Sequence, residues 1–332
     1  MIDFTDTQKL INNVEGFLDK EHLRSRLMGK VLQMQYFFYN KYLANKYINS
    51  FLRSRHQITL DSDPNIILKI SNTYYETLYT YTNVALLDEL SEIGEKLAKL
   101  DKDYDDITEE FIDAFHFITQ HLILQIEHSE FLANGELHNH FNTLSYSEKY
   151  DSLNENIFKF FFNSSNINQK CKQRATNMIH LDNIPIAFNN LITSGSITSQ
   201  LTDTINLTIK LQEEFNWKIW KEYPDNFYSV SKMSVMLSKT IDIFNSLFEA
   251  FCNFCLHMNK IQSNKTDVIL PITHAIKIMP TSFECSIIDY VFVLMFASYY
   301  TKHKINIDRQ CDKSKGYVNN NQQAAYFNIF EE

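Results

Sequence analysis

Glycine and proline are scarce, at six and five residues in a chain of 332. A β protein of this size needs many more of both at its turns, so the scarcity excludes a sheet-rich fold and points to helices. An excess of basic charge is also missing. The formal net charge is −9, which excludes a general nucleic-acid binder, because that needs a basic footprint. No block of Lys or Arg is long enough to make a membrane-surface patch. Long apolar runs are lacking as well. The longest, Tyr290–Tyr300, is too short to span a bilayer and reads as a central buried helix. The start, Met1-Ile2-Asp3-Phe4-Thr5-Asp6, has neither a basic segment nor an apolar stretch, so no signal peptide is expected.

Cysteine is sparse and odd in number, at five. Cys252-Asn253-Phe254-Cys255 with His257 has metal-like spacing, but it lies in an apolar helical stretch without a second pair. A buried structural role is expected for it. The usage fits a reducing cytosol, so a cytoplasmic location is expected. There is no Gly-x-Ser-x-Gly, no Gly-rich phosphate loop and no His-Glu-x-x-His.

Aromatic residues are plentiful, with 26 Phe, 18 Tyr and 2 Trp. They serve core packing, or they line an apolar pocket whose ring faces stabilise cations. Apolar residues recur at helical spacing along nearly the whole chain, and about ten helices are expected. The first two cover 5–18 and 21–56. A third, opened by Asp61-Ser62-Asp63-Pro64, runs to about Leu100. Asp105-Asp106 opens the next, which runs to about Leu132 and is ended by Asn134-Gly135. Shorter helices occupy 146–163 and 165–180, and another from Asp182 breaks near Ser194-Gly195-Ser196. Long helices are expected over Thr198–Trp220 and Ser229–Gln262. The capping box Thr281-Ser282-Phe283-Glu284 opens the last, to about Tyr300. One all-α domain over 1–305, an antiparallel bundle around a central apolar cavity, is the simplest account. Residues 306–332 then form a polar tail.

Two acidic windows carry the candidate chemistry. The first is Leu100-Asp101-Lys102-Asp103-Tyr104-Asp105-Asp106, with Glu109 and Glu110 one turn on. Asp101 and Asp105, four apart, share a helix face. Mg²⁺ takes hard oxygen ligands and bridges one or two carboxylates to phosphates, which this window can supply. The second window has Glu214, Lys218 and Glu222 stepping by four, with Lys221 beside Glu222 and two tryptophans between. Each window also has a plain reading, as a solvated helix N-terminus and as an i,i+4 salt-bridged surface.

In order and spacing, about residues 65–305 resemble the class I terpene synthases, nearest to the trichodiene-synthase type. The stretch Lys221-Glu222-Tyr223-Pro224-Asp225-Asn226-Phe227-Tyr228 is similar to the aromatic and acidic turn just after that family's second metal motif, and the first window resembles its aspartate-rich motif. Arg174 stands where the family has a diphosphate-sensing arginine, and Thr301-Lys302-His303-Lys304 where it has a basic segment after a long apolar helix. The resemblance implies a Mg²⁺-dependent lyase that ionises a prenyl diphosphate, such as farnesyl diphosphate, to a carbocation. It implies metal ligation by Asp101, Asp105, Asp106, Glu214 and Glu222, and charge neutralisation by Arg174, Lys218, Lys221 and Lys302, in a monomer or homodimer. The chain departs from the family at the second motif, where Glu214 and Lys218 replace Asn or Asp and Ser or Thr.

Two other readings compete. One is a non-catalytic helical binding protein, an inactive relative. The other is a histidine–carboxylate iron site built from His116, His121, Glu127, His128 and Glu130, with His138 and His140 beyond. Di-iron bundles need Glu-x-x-His on two helices, and that motif is absent. The histidine run is therefore expected to be polar decoration.

Overall fold

Short polar side chains start three of the helices. The Asp3 carboxylate accepts the Thr5 amide at 2.9 Å. The Asp103 carboxylate accepts the amides of Asp105 and Asp106 at 3.0 and 3.2 Å. The Ser229 hydroxyl accepts the Lys232 amide at 3.2 Å. Each satisfies donors that the first turn of a helix leaves open. The computed structural model describes residues 2–13, 20–39, 42, 66–99, 103–134, 194–215, 227–262, 275, 278–279, 287–311 and 327–330. Among these residues there are seven helices and no strand. They are α1 (Thr5–Asn13), α2 (Lys20–Phe38), α3 (Ile66–Ala98), α4 (Tyr104–Asn134), α5 (Ser194–Gln212), α6 (Val230–Gln262) and α7 (Ile287–Cys311).

The all-helical expectation holds for these residues, and α3, α4 and α6 match their expected spans closely. Two ends differ. The helix expected over Thr198–Trp220 stops at Gln212, where the Glu214 amide turns back to the Leu211 carbonyl and Phe215 is drawn into the core. The last helix runs past Asn306 to Cys311, because Ile307 and Gln310 are buried and hold its end in place. The expected elements over 146–163 and 165–180, and the Thr281–Glu284 box, lie outside the described residues. No described helix is long and apolar enough to cross a membrane.

Helix α4 is the axis of the bundle and packs on α2, α3, α6 and α7. Its register against each is read from side-chain pairs. Against α6, Phe111 meets Phe251 and Phe254, Phe115 meets Phe244, and Gln125 reaches Thr240 at 2.8 Å, so the two run antiparallel. Against α7, Thr119 meets Tyr299 and Glu109 meets Lys302, again antiparallel. Helices α2 and α7 instead run parallel, through Arg24–Asp289 and Gln35–Tyr299. Every residue from Val291 to Tyr300 is buried, as expected for the longest apolar run. Full burial of each large apolar side chain is worth about 1.5–3 kcal/mol, so these contacts dominate the stability of the bundle. Cys252 and Cys255 sit inside α6 with burial pushing both thiols up in pKa, which makes them inert packing residues as expected.

Arg24 and Asp289 form a fully buried ion pair at 2.5 Å that sets the register of α2 on α7. Asp289→Ala removes the carboxylate facing a buried guanidinium and is expected to cost about 3–5 kcal/mol. Arg24→Met with Asp289→Leu is expected to recover most of that loss. Urea unfolding midpoints of the three proteins check both.

Candidate functional site

The first acidic window becomes the N-terminus of α4, where carboxylates complement the positive end of the helix dipole. Asp103 is the cap, Asp105 is exposed, and Asp106 and Glu110 both pair with Lys96 of α3, Asp106 at 2.7 Å. Burial works against the charge of Lys96, but hydrogen bonds to the two carboxylates prevail and its pKa is raised. Glu109 and Asp113, on the α7 side, hold Lys302 at 2.5 and 2.7 Å. Hydrogen bonding to Lys302 lowers Glu109, whereas burial keeps Asp113 raised. Lys302 itself is buried, so its charge is compensated inside the protein.

Two further carboxylates join this end from α3. Oxygens of Glu89, Glu92 and Glu110 lie within 4.8 Å of one another. Burial, and then a hydrogen bond with Glu110, push Glu89 up to about 8. An all-oxygen donor set of this kind suits a hard divalent cation in place of the shared proton. Glu89 and Glu92 were not legible as site residues in sequence. They sit at ordinary helix spacing, and only the antiparallel pairing of α3 with α4 brings Glu110 to them.

The second window lies elsewhere. Glu214 sits in the turn after α5 and pairs with Lys232, at 2.6 Å, and Lys239 of α6. Burial raises it, but the two lysine hydrogen bonds prevail and its pKa is lowered. The next residue, Phe215, packs against Tyr79 and His121 at ring distances of 5.8 and 5.9 Å. His121 is fifteen residues after Asp106 on α4, which is about 22 Å along the helix axis. The structure therefore groups Asp106 with Glu110 and Lys96, and leaves Glu214 far up the bundle. Glu214 is also off the helix, so the four-residue step to Lys218 and Glu222 does not begin on a helical face. Asp101, Arg174, Lys218, Lys221 and Glu222 lie outside the described residues, as do His138 and His140.

The histidines of α4 are not surface decoration. His116, His121 and His128 are all buried, because α4 is enclosed by its neighbours. His121 and His128 share a face and both meet Tyr79, as their spacing implied. The Asn72 carbonyl oxygen, an acceptor, lies 2.9 Å from Nε2 of His128, so that nitrogen carries the proton. Nδ1 then accepts from the Tyr79 hydroxyl at 3.0 Å. Both His128 nitrogens are thus engaged in hydrogen bonds and unavailable to iron. His121 Nδ1 accepts from Gln125, which also donates to Thr240.

Comparison with protein-family models, curated proteins and solved structures finds no match for the chain.

Burial, first among the causes, lowers His116, His128 and His303 to about 3 and His121 to about 4, from an ordinary 6.5. Between those values the unfolded chain binds more protons than the fold, so stability falls as pH drops below about 6.5. Glu89 acts in the opposite sense. It holds a proton up to about 8 that the unfolded chain releases near 4.5, so stability also falls as pH rises towards 8. Four deeply buried imidazoles outweigh the carboxyls that burial raises, of which Glu89 is shifted furthest. The melting temperature is expected to peak near the histidine value and fall steeply on the acid side. Glu89→Gln should flatten the decline up to about pH 8. Thermal unfolding followed by circular dichroism across pH 4–9 checks both limbs.

Proposed function

We propose that this chain is a non-catalytic helical binding protein in which the described part of each acidic window serves as an ion-paired strut. One observation carries the reading. Glu214 is matched by Lys232 and Lys239 on α6, far along α4 from Asp105 and Asp106. Ionising a diphosphate by metal requires carboxylates that converge on one small region, where the cations bridge to the same phosphates. Drawing Glu214 into such a site would leave two lysines without their counter-charge. The aromatic residues support the same view, because Phe111, Phe115, Phe244, Phe251 and Phe254 contact one another between α4 and α6.

A second reading is favoured by the carboxylate group of α3 and α4. Under it the protein is the prenyl-diphosphate lyase that the terpene-synthase resemblance implies, with its apolar pocket elsewhere in the bundle and a cation at Glu89, Glu92 and Glu110. Mg²⁺ bound there would act as a Lewis acid on the leaving diphosphate. Lys96 and Lys302 stand beside these carboxylates and supply positive charge at the same end.

Incubating the purified protein with Mg²⁺ and geranyl, farnesyl or geranylgeranyl diphosphate separates the two. Gas chromatography–mass spectrometry is expected to detect no terpene from any of the three. A hydrocarbon or terpene alcohol that disappears in Glu89→Gln/Glu92→Gln would establish the lyase with its cation at that end. One that disappears instead in Asp101→Ala and Glu222→Ala would establish it with the ligands the resemblance implies.

A further inference from the structure

Helix α3 has two unlike faces. On the inner one Tyr79, Leu86, Leu90, Ile93 and Leu97 are buried, where α3 packs on α4 and α5. On the outer one Tyr81 and Val84 are 66 % and 54 % exposed, more than any other large apolar side chain among the described residues. They stand three apart, so they are neighbours on the helix surface. Single apolar residues scattered over a surface need no explanation, but two side by side make a patch whose burial is favourable.

The same face continues into acid. Steps of three and four residues from Val84 lead to Asp88, Glu92 and Glu95, all exposed. None of the three forms an ion pair among the described residues. Lys96, beside Glu95 in sequence, is committed to Asp106 and Glu110 of α4. Asp103 and Asp105, exposed at the adjoining start of α4, extend the negative charge at this end. From Tyr81 to Glu95 the stripe covers about 21 Å of helix axis, which is about four turns of a second helix laid along it.

From this we infer that the outer face of α3 docks a basic amphipathic helix, with apolar residues on one edge and Lys or Arg beside them. The inference deepens the binding-protein reading and rests on it. A helix partner places apolar anchors at steps of three and four, which is the spacing of this stripe. An exposed tyrosine offers a large, rigid contact of the kind that dominates binding energy. The acidic row supplies charge complementarity, which steers a cationic partner and fixes its alignment. The same row disfavours other occupants. A second copy of this chain would set acid against acid, and an anionic membrane surface would be repelled.

The test uses the full-length protein and a fluorescein-labelled helical peptide of about five turns, built from Leu on one edge and Lys elsewhere. Fluorescence anisotropy is expected to show binding that weakens as salt is raised. A peptide with Glu in place of Lys should not bind. Tyr81→Ser/Val84→Ser should weaken binding by at least about tenfold. Asp88→Asn/Glu95→Gln should weaken it and make the salt dependence shallower. All four substitutions are at exposed positions, where folding is little affected. Ile305→Ser/Asp308→Asn, an exposed apolar and acidic pair on α7, should leave binding unchanged. Equal loss in that variant overturns the inference, because the peptide is then held by general attraction to an acidic protein. So does absence of binding, or wild-type affinity in Tyr81→Ser/Val84→Ser. A dimer seen in sedimentation and abolished by Tyr81→Ser/Val84→Ser also overturns it, in favour of a second copy. A terpene product in the diphosphate assay would instead overturn the binding-protein reading, whereas lack of peptide binding without a terpene removes this surface alone.

Discussion

Enclosure of α4 by α2, α3, α6 and α7 is the constraint on which the described structure depends. A helix covered on several sides cannot keep polar side chains in water. Each must find a partner inside or remain neutral. At its N-terminal end the acidic residues meet Lys96 from α3 and Lys302 from α7, so charge is compensated where two neighbours converge. Further along, Thr119, Gln120, Gln125 and His128 meet Tyr299, Gln35, Thr240, Tyr79 and Asn72. The apolar stripe between them is filled by phenylalanines of α6.

This enclosure explains how one helix carries several chemistries that do not mix. Its acidic first turns lie at the rim, where solvent and lysines screen them. Its histidines lie in the interior, where burial strips them of protons. The lysines decide what the rim carboxylates can do. Asp106 and Glu110 share Lys96, whereas Glu89 is held back from ionising first by burial and then by its hydrogen bond with Glu110 and the nearby carboxylates of Asp113 and Glu92, and so keeps its proton at pH values where a carboxyl is normally ionised. Glu214 shows the opposite balance, with two lysines for one carboxylate and a lowered pKa.

Polar seams in a helical core also specify register. Gln35 pairs with Gln120 and Tyr299 at once, which ties α2, α4 and α7 in one alignment. Arg24 with Asp289 repeats the α2–α7 part of that tie nearer the start of α2. Apolar contacts alone tolerate sliding of one helix along another, whereas paired polar groups buried away from water do not. On α5 and α6 the same task falls to Thr204 with Ser246 and Gln200 with Glu249 and Asn253.

Helical content, the starts of α4 and α6, the buried character of Val291–Tyr300 and the inert setting of Cys252 and Cys255 were all legible in the sequence. They depend on periodicity, local caps and apolar composition, which act over one or two turns. The first acidic window was legible as a carboxylate cluster for the same reason, since neighbours in sequence at a helix N-terminus remain neighbours in space. What each charge meets was not legible. Lys96 and Glu110, Lys302 and Asp113, and Glu214 with Lys232 and Lys239 are joined only by how antiparallel helices align. The end of α5 at Gln212 was hidden too, because Phe215 leaves the helical path to reach a core made by α3 and α4. So was the burial of the α4 histidines, a property of the helices around them and not of their own spacing. Local propensity acts along the chain and shows in one sequence, whereas charge compensation and desolvation act across the chain and exist only once the helices are packed.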